Sequence, residues 1–480
     1  MERPFYHART LCIAGVSATA LLWAAPTAFA QDVQPTAAEP EATTVDEIVV
    51  TGYRSSLQQA LNIKRREAGA VDAIFAEDMA DFPDQNLAEA IQRLPGVTID
   101  RVNGQGTTIS VRGLGADFTR TRINGLEAQA ASGGNRNRSF DFSMFASELF
   151  NSIKVRKTQS AEIEEGSLGS TVDLQTGRPL DFSRSGFNSA LSVQASYNDL
   201  SEKAVPRTAG LLSWSNDSKT FGILGSIAYS ERSPILESFN TTRWQKGDPT
   251  KAYGVGQNFG GCVPCTTEAQ RTELLNAFYP RIPRYTFGNT QEDRLGLTGA
   301  LQWRPSDATE VSLDILYADF SATRFAHFLQ APDFSASGNA GRNGIIVRDS
   351  FVDANGNMLY GRFDNVDVRS ESRYDELSTE FTQVTLNFKH EFNDRFRMDA
   401  LVGSSKSEHD NPIQTTLLFD KVDSQNYVYD YRQNSNLPLI TYGFDVNDPA
   451  QWKLTQIRMR PQTADNTYDT VQVNTTFDIS

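Results

Sequence analysis

Cysteine and histidine are scarce in this chain, three and four among 480 residues. Cys12 sits in an apolar N-terminal stretch, without the residues of a lipoprotein signal before it. His7, His327, His390 and His409 are widely scattered, and His390-Glu391 is not followed by a second His at zinc-protease spacing. No metal centre is therefore expected. Phosphate-cradling loops are missing too: Gly104-Gln105-Gly106 and Gly113-Leu114-Gly115 lack the third glycine and the βαβ setting. There is no Gly-x-Ser-x-Gly, and the acidic pair Glu164-Glu165 reads as ordinary surface rather than a glycosidase pair. The chain is expected to be neither an enzyme nor a cofactor carrier. Positive charge is also in deficit, with 45 basic against 59 acidic residues and a net charge of −14. Nucleic acid is thereby excluded as the main partner, because phosphate binding needs a basic face.

Beyond the N-terminus no run of about eighteen apolar residues occurs, so no transmembrane helix is available. The mean hydropathy of −0.42 agrees with that. A membrane β-barrel is not excluded, since it hides its apolar residues in alternation with polar ones.

The N-terminus itself has the parts of an export signal. Arg3, His7 and Arg9 precede an apolar stretch from Leu11 to Ala25, and Ala28-Phe29-Ala30 fits a cleavage site. Residues 1–30 are read as a cleavable signal peptide and 31–45, rich in Ala, Pro, Thr and Glu, as a flexible linker. In an exported chain the remaining pair, Cys262 and Cys265, points to a disulfide.

Asp46 to Gly52 is a lone β-prone run, suited either to strand addition onto another protein or to the first strand of the next domain. A mixed α+β domain follows. Ser55-Ser56-Leu57-Gln58 resembles a capping box opening one helix. A second helix is predicted from Leu87 to Leu94, capped by Asp84 and stopped by Pro95-Gly96. Strands are predicted over Val97–Asp100, Thr107–Arg112 and Thr119–Ile123, with Asn124-Gly125 as a hairpin turn. Ile153–Arg156 and Thr171–Thr176 complete the domain, and Gly133–Arg138 is a polar, glycine-rich stretch.

From about residue 186 the pattern alternates with period two. Leu191, Val193, Ala195 and Tyr197 share one face, as do Leu295, Leu297, Leu301 and Trp303, then Val311, Leu313, Ile315 and Tyr317, then Val384, Leu386 and Phe388. The intervening positions are small or polar, among them Ser192, Gln194, Thr298, Gln302, Asp314 and Thr385. Eight such runs are present: 187–198, 207–215, 219–232, 291–304, 309–324, 377–391, 395–408 and 466–479. Tight turns at 216–218, 305–308 and 392–394 alternate with long connections at 233–290, 325–376 and 409–465, which read as structureless loops. Short periplasmic turns and long outer loops are what a membrane barrel requires. Tyr197, Trp214, Tyr229, Trp303 and Tyr317 are candidate girdle residues.

In their order these pieces resemble the TonB-dependent outer-membrane receptors. Asp46, Glu47, Ile48, Val49, Val50, Thr51 and Gly52 look like a TonB box. LAEAIQRLPGVTID (Leu87–Asp100), TISVRGLG (Thr108–Gly115), Ile123-Asn124-Gly125 and IKVRKTQSAEIEEGSLGSTVDLQT (Ile153–Thr176) look like the plug, with Gly169-Ser170-Thr171-Val172-Asp173 where the family often has Gly-Gly-Thr-Val-Asn. The resemblance implies a mainly β fold: a TonB box at 46–53, an α+β plug at 54–180, and the first part of a transmembrane antiparallel barrel at 181–480. Such plugged barrels have about 22 strands, so roughly the first eight are expected here and the barrel is expected to be truncated.

The resemblance also implies location in a Gram-negative outer membrane, contact with its lipid, and energy from TonB with ExbB and ExbD. The stretch from Gly133 to Phe142 resembles a Caulobacter- and Xanthomonas-type subgroup, which implies a carbohydrate as substrate; an iron-siderophore receptor, or an unenergised porin or adhesin barrel, is the alternative. Asn135, Arg136, Asn137 and Arg138 are candidate substrate contacts on the plug, with Trp244 and Tyr253 as stacking residues in the first long loop. Arg112 is expected to latch onto a barrel acid.

Overall fold

The structure, a computed structural model, describes residues 51–75, 86–130, 138–161, 163–246, 259–334 and 344–479. Helix α1 (Thr51–Arg66) opens the described chain and leads into β1 (Val71–Phe75). The helix begins earlier than the capping signal at Ser55 and Ser56 indicated. Thr51 and Gly52, read as the end of an extended run, are its first turn. The local helix preference of the residues that follow overrides the β-prone pattern of those before. Asp46 to Val50, the signal peptide and the linker lie outside the described residues.

Helix α2 (Leu87–Gln92) buries Leu87, Ala88, Ala90 and Ile91. Its cap is Asn86, whose side chain accepts from the Glu89 N–H, and not Asp84, which lies outside the described residues. Asn86 also donates to the Gly106 carbonyl at 2.8 Å, tying the cap to the hairpin of β2 (Val97–Val102) and β3 (Gln105–Val111). That second bond needs the hairpin in place, which is why spacing alone did not single out Asn86.

Strands β4 (Thr119–Ile123), β5 (Leu126–Ala128), β6 (Phe150–Arg156) and β7 (Ser170–Thr176) join β1 in a sheet ordered β1-β6-β7-β4-β5. Asn124 and Gly125 form the β4–β5 turn with φ of 52° and 90°, the left-handed pair a tight hairpin demands.

The rest of the chain is dominated by one antiparallel sheet. Its strands are β8 (Gly186–Asn198), β9 (Lys203–Ser215), β10 (Phe221–Arg232) and β11 (Ile235–Asn240), then, after β12 (Trp244–Lys246), β13 (Phe259–Cys262), α3 (Glu268–Asn276) and β14 (Phe278–Pro280), β15 (Arg284–Ser306) and β16 (Thr309–Gln330). Next come β17 (Ile345–Val352) and β18 (Met358–Asp364), β19 (Val366–Asn393), β20 (Phe396–Ser424), β21 (Tyr427–Asp430), β22 (Leu439–Thr441), β23 (Lys453–Met459) and β24 (Gln462–Phe477). The large sheet runs β23-β20-β19-β16-β15-β10-β9-β8, with β11 on β15 and β24 on β20. All eight predicted runs are strands of this sheet.

Its two faces invert the rule for soluble proteins. On one face Leu191, Val193 and Tyr197 are 81, 71 and 65% exposed; on the other Thr298, Gln302, Asp314 and Thr385 are buried. Apolar residues outward and polar residues inward are the pattern of a wall with hydrocarbon outside. Trp214 and Trp303 lie on the outward face near the tight turns, and Tyr229 lies toward the opposite end of β10. From Ile223, paired with Trp214, to Tyr229 is six residues, about 20 Å along a strand, close to the height of an apolar membrane band.

The long connections are not structureless, contrary to the sequence reading. Strands β15, β16, β19 and β20 continue well past the roughly 9–11 residues that cross a bilayer. A second sheet, ordered β13-β17-β18-β21-β22, forms from the connections around a core of Phe259, Phe334, Phe363, Tyr427 and Tyr429. Phe334 and Phe363 meet edge to face at 5.0 Å. The runs that build it are short and come from distant parts of the chain, so none has a visible partner in the sequence. Among the described residues no helix is long and apolar enough to cross a membrane.

Candidate functional site: the plug seated on the wall

The first domain packs against the inward face of the large sheet. Phe140, Phe142, Phe145 and Phe150 of the plug share one core with Ala228, Leu316, Ala318, Phe320 and Phe381 of the wall. Phe145 meets Phe381 edge to face, with ring centroids 5.2 Å apart. Small wall residues make the approach possible. A Cβ at Gly296 would overlap Leu149 of the plug, so the absence of a side chain there is a packing requirement.

Polar bonds cross the same boundary. Arg207 of β9 donates to both oxygens of Glu148, at 2.7 and 2.8 Å. Arg178, just past β7, donates to Asp314 of β16 at 2.7 Å, and the Leu180 N–H donates to Gln302 at 3.0 Å. Gln383 donates to the Ile123 carbonyl at 2.6 Å, and Arg232 to Gln105 and the Asn103 carbonyl, both at 3.0 Å. Each wall residue here occupies an inward position of its strand. A charged side chain at a polar position of an otherwise apolar-alternating strand is the signal that marks such residues, and Asp314 carried it. Their plug partners carry no local signal.

A second ionic chain runs from α1 into the plug sheet. Arg156 donates to Glu67 at 2.8 and 3.2 Å and to Asp173 at 2.7 Å; Asp173 also receives Arg122. Asp72 is held between Lys64 and Lys157. The Arg156 bonds keep the Glu67 carboxyl below the usual carboxylate range. Burial would raise Asp72 and Glu148, but the bonds from Lys157 and Lys64 on one and Arg207 on the other outweigh it, and both lie low. The C-terminal end of α1 is thus clamped to the plug sheet by charge.

Arg112 does not latch onto the wall. It stands in the left-handed region at φ 53°, and its guanidinium donates to the Lys157 carbonyl at 3.0 Å, within the plug. The turn Arg112-Gly113 points the side chain along the plug surface, and the wall latches are Arg207 and Arg178 instead.

Of the candidate substrate contacts, Asn135, Arg136, Asn137 and Tyr253 lie outside the described residues. Arg138 is exposed, with its N–H donating to Asp117 at 3.2 Å. Trp244 is half-buried in the second sheet's core, 5.1 Å from Tyr431, so it packs there rather than standing free in a loop. Cys262 and Cys265 are joined by a disulfide, with Cα atoms 5.4 Å apart, at the end of β13.

Comparison with known proteins adds a family to this geometry. Residues 63–171 match the model of the TonB-dependent Receptor Plug Domain. A search of curated protein sequences finds no match. Among solved structures the chain is similar to the copper transporter OprC, at 11% identity and a TM-score of 0.38, covering 85% of this chain and 60% of that one. It is similar to the siderophore receptor PirA from Acinetobacter baumannii, at 12% identity and a TM-score of 0.29, covering 85% and 78%. It is also similar to the ferric citrate transporter FecA, at 11% identity and a TM-score of 0.32, covering 88% and 62%. The chain thus spans 60% of the length of OprC, and the cargoes of those proteins are their own. Residues 63–171 thus form a TonB-dependent receptor plug domain, seated on an outward-apolar β wall.

Proposed function

We propose that this chain supplies the plug and part of the wall of an energised importer in a Gram-negative outer membrane. The observation that carries the reading is the pairing of an outward apolar face with an inward polar face occupied by a folded plug. A passive pore has no use for a domain bonded across its lumen. A plug that must move needs work, and the outer membrane has no nucleotide to provide it. Asp46 to Gly52 is the segment we assign to TonB, which with ExbB and ExbD would deliver force from the inner membrane. Residues 46–50 can add as a strand to a partner sheet through their backbone groups. Thr51 and Gly52, which are helical here, would have to unwind to take part.

Carbohydrate is the cargo we favour, on the resemblance of Gly133–Phe142 to a carbohydrate-importing subgroup. Residues 1–30 are assigned as the export signal, 54–180 as the plug and 181–480 as wall. Uptake of a labelled oligosaccharide by cells expressing the protein, with and without a protonophore, tests the reading. Uptake should stop when the proton gradient collapses. Val49→Pro should stop it too while leaving surface binding intact, since proline removes a backbone donor. Uptake that survives both treatments would identify a passive channel.

A further inference from the structure

At the end of β8, β9, β10 and β15 away from the tight turns, the inward face encloses a cavity of about 190 Å³. Water occupies roughly 30 Å³ in the liquid, so the space admits a small polyatomic ion with its hydration. The charged residues lining it are four cations, Lys203, Arg207, Arg232 and Arg294, and one acid, Glu231. Glu231 is engaged, accepting from the Tyr229 hydroxyl at 2.7 Å. The other offsetting carboxylates stand outside the lining. Glu148 takes Arg207, and a single carboxylate, Glu292, serves both Arg294 at 2.9 Å and Arg232 at 3.5 Å. Asp141, which also lends its field to Arg294, accepts from the N–H and hydroxyl of Ser143.

Two donors are left over. The Nε of Arg294, a residue 5% exposed, and the hydroxyl of Ser233, 9% exposed, are buried and have no hydrogen-bond partner among the described residues. Both residues line this one cavity. A buried donor without an acceptor is costly, and one on a charged group more so. The other face of Arg294 rests on Phe320, 5.4 Å from the ring centroid. A site with four cations on its walls against one lining carboxylate, and with two buried donors unmatched among the described residues, is complementary to an oxyanion.

We propose that this cavity binds an oxyanion, the carboxylate or sulfate group of an acidic sugar being imported. Arg294 Nε and Ser233 Oγ donate to its oxygens, and Arg207, Arg232 and Lys203 supply the field. The choice of an acidic sugar rests on the import reading above; the binding of an oxyanion does not.

Calorimetric titration of the purified full chain in detergent, at constant ionic strength in chloride, tests this. The probes are sodium glucuronate, sodium sulfate and neutral glucose. Glucuronate and sulfate should bind at one site and glucose should not. Ser233→Ala, which deletes a single hydroxyl and leaves the ion pairs intact, should weaken both by about tenfold, the loss of one hydrogen bond to a charged group. Arg294→Lys should weaken them further. Glucuronate binding tighter than sulfate would place the group on a sugar; sulfate binding alone would make the ligand a free inorganic anion and overturn the acidic sugar while keeping the oxyanion site. Absence of heat from both ions, or binding unchanged in Ser233→Ala, would overturn the site itself. Uptake that depends on the proton gradient would survive that result, so the two failures are separable.

Discussion

Glu148 of the plug and Arg207 of the wall share two parallel hydrogen bonds, 2.7 and 2.8 Å long, beside the aromatic and aliphatic core that joins the two. Both side chains are mostly shielded, at 23 and 17% exposure. A bidentate pair in that setting fixes orientation as well as adding attraction. Glu148→Gln should lower the stability of the seated plug by about 1–3 kcal/mol, because Arg207 is left with a neutral acceptor. The exchange Glu148→Arg with Arg207→Glu should recover part of the loss, with a coupling energy of about 0.5–3 kcal/mol. Denaturant unfolding of the four proteins of the cycle measures it; additive losses would show that the pair does not act together.

Acid should loosen the plug from within. The carboxyls of Glu67, Asp72 and Glu148 all lie below their usual range in the folded chain. A depressed folded value means that the unfolded state binds protons more readily, so stability is fully present above the ordinary carboxylate range and is lost as pH falls through the folded values. Unfolding followed from neutral pH downward should show this decline. Glu67→Gln should be less stable than the parent at neutral pH and lose less on acidification, since one of the three titrating groups is gone.

Gly296→Val should unseat the plug without disturbing the strands. The added side chain would occupy the space now filled by Leu149, and overpacking of this kind costs about 1–3 kcal/mol or more. The β content should be unchanged while conductance in planar bilayers rises. The companion change Leu149→Ala should restore closure in part, because it returns the volume.

Gly125→Ala tests the hairpin turn. Gly125 has φ 90°, and a Cβ there would lie 2.9 Å from Leu401 of the wall. Strain in the turn and pressure on the wall act together, and a loss of about 1–2 kcal/mol in plug stability is expected. Asn124 should be equally sensitive, since its side-chain oxygen accepts from the Thr176 N–H at 3.0 Å and from Gln175 at 2.9 Å.

Sequence by itself determined the elements whose signal is local or periodic. The eight runs of the wall were legible because a strand between two different media must alternate, and Leu191, Leu297, Ile315 and Val384 could share a face in no other way. The plug strands and the Asn124-Gly125 turn were legible because left-handed backbone restricts residue choice. Tertiary structure decided what depends on partners far apart in the chain. Asn86 became the cap of α2 because the Gly106 carbonyl is there to hold it, and Arg112 turned along the plug while Arg207 reached across to Glu148. The sheet built from β13, β17, β18, β21 and β22 exists because five short segments, each too short to persist alone, bury their aromatics together. Arg294 and Ser233 are ordinary polar residues along a strand and beyond its end. Only the packing of four strands brings them to one cavity.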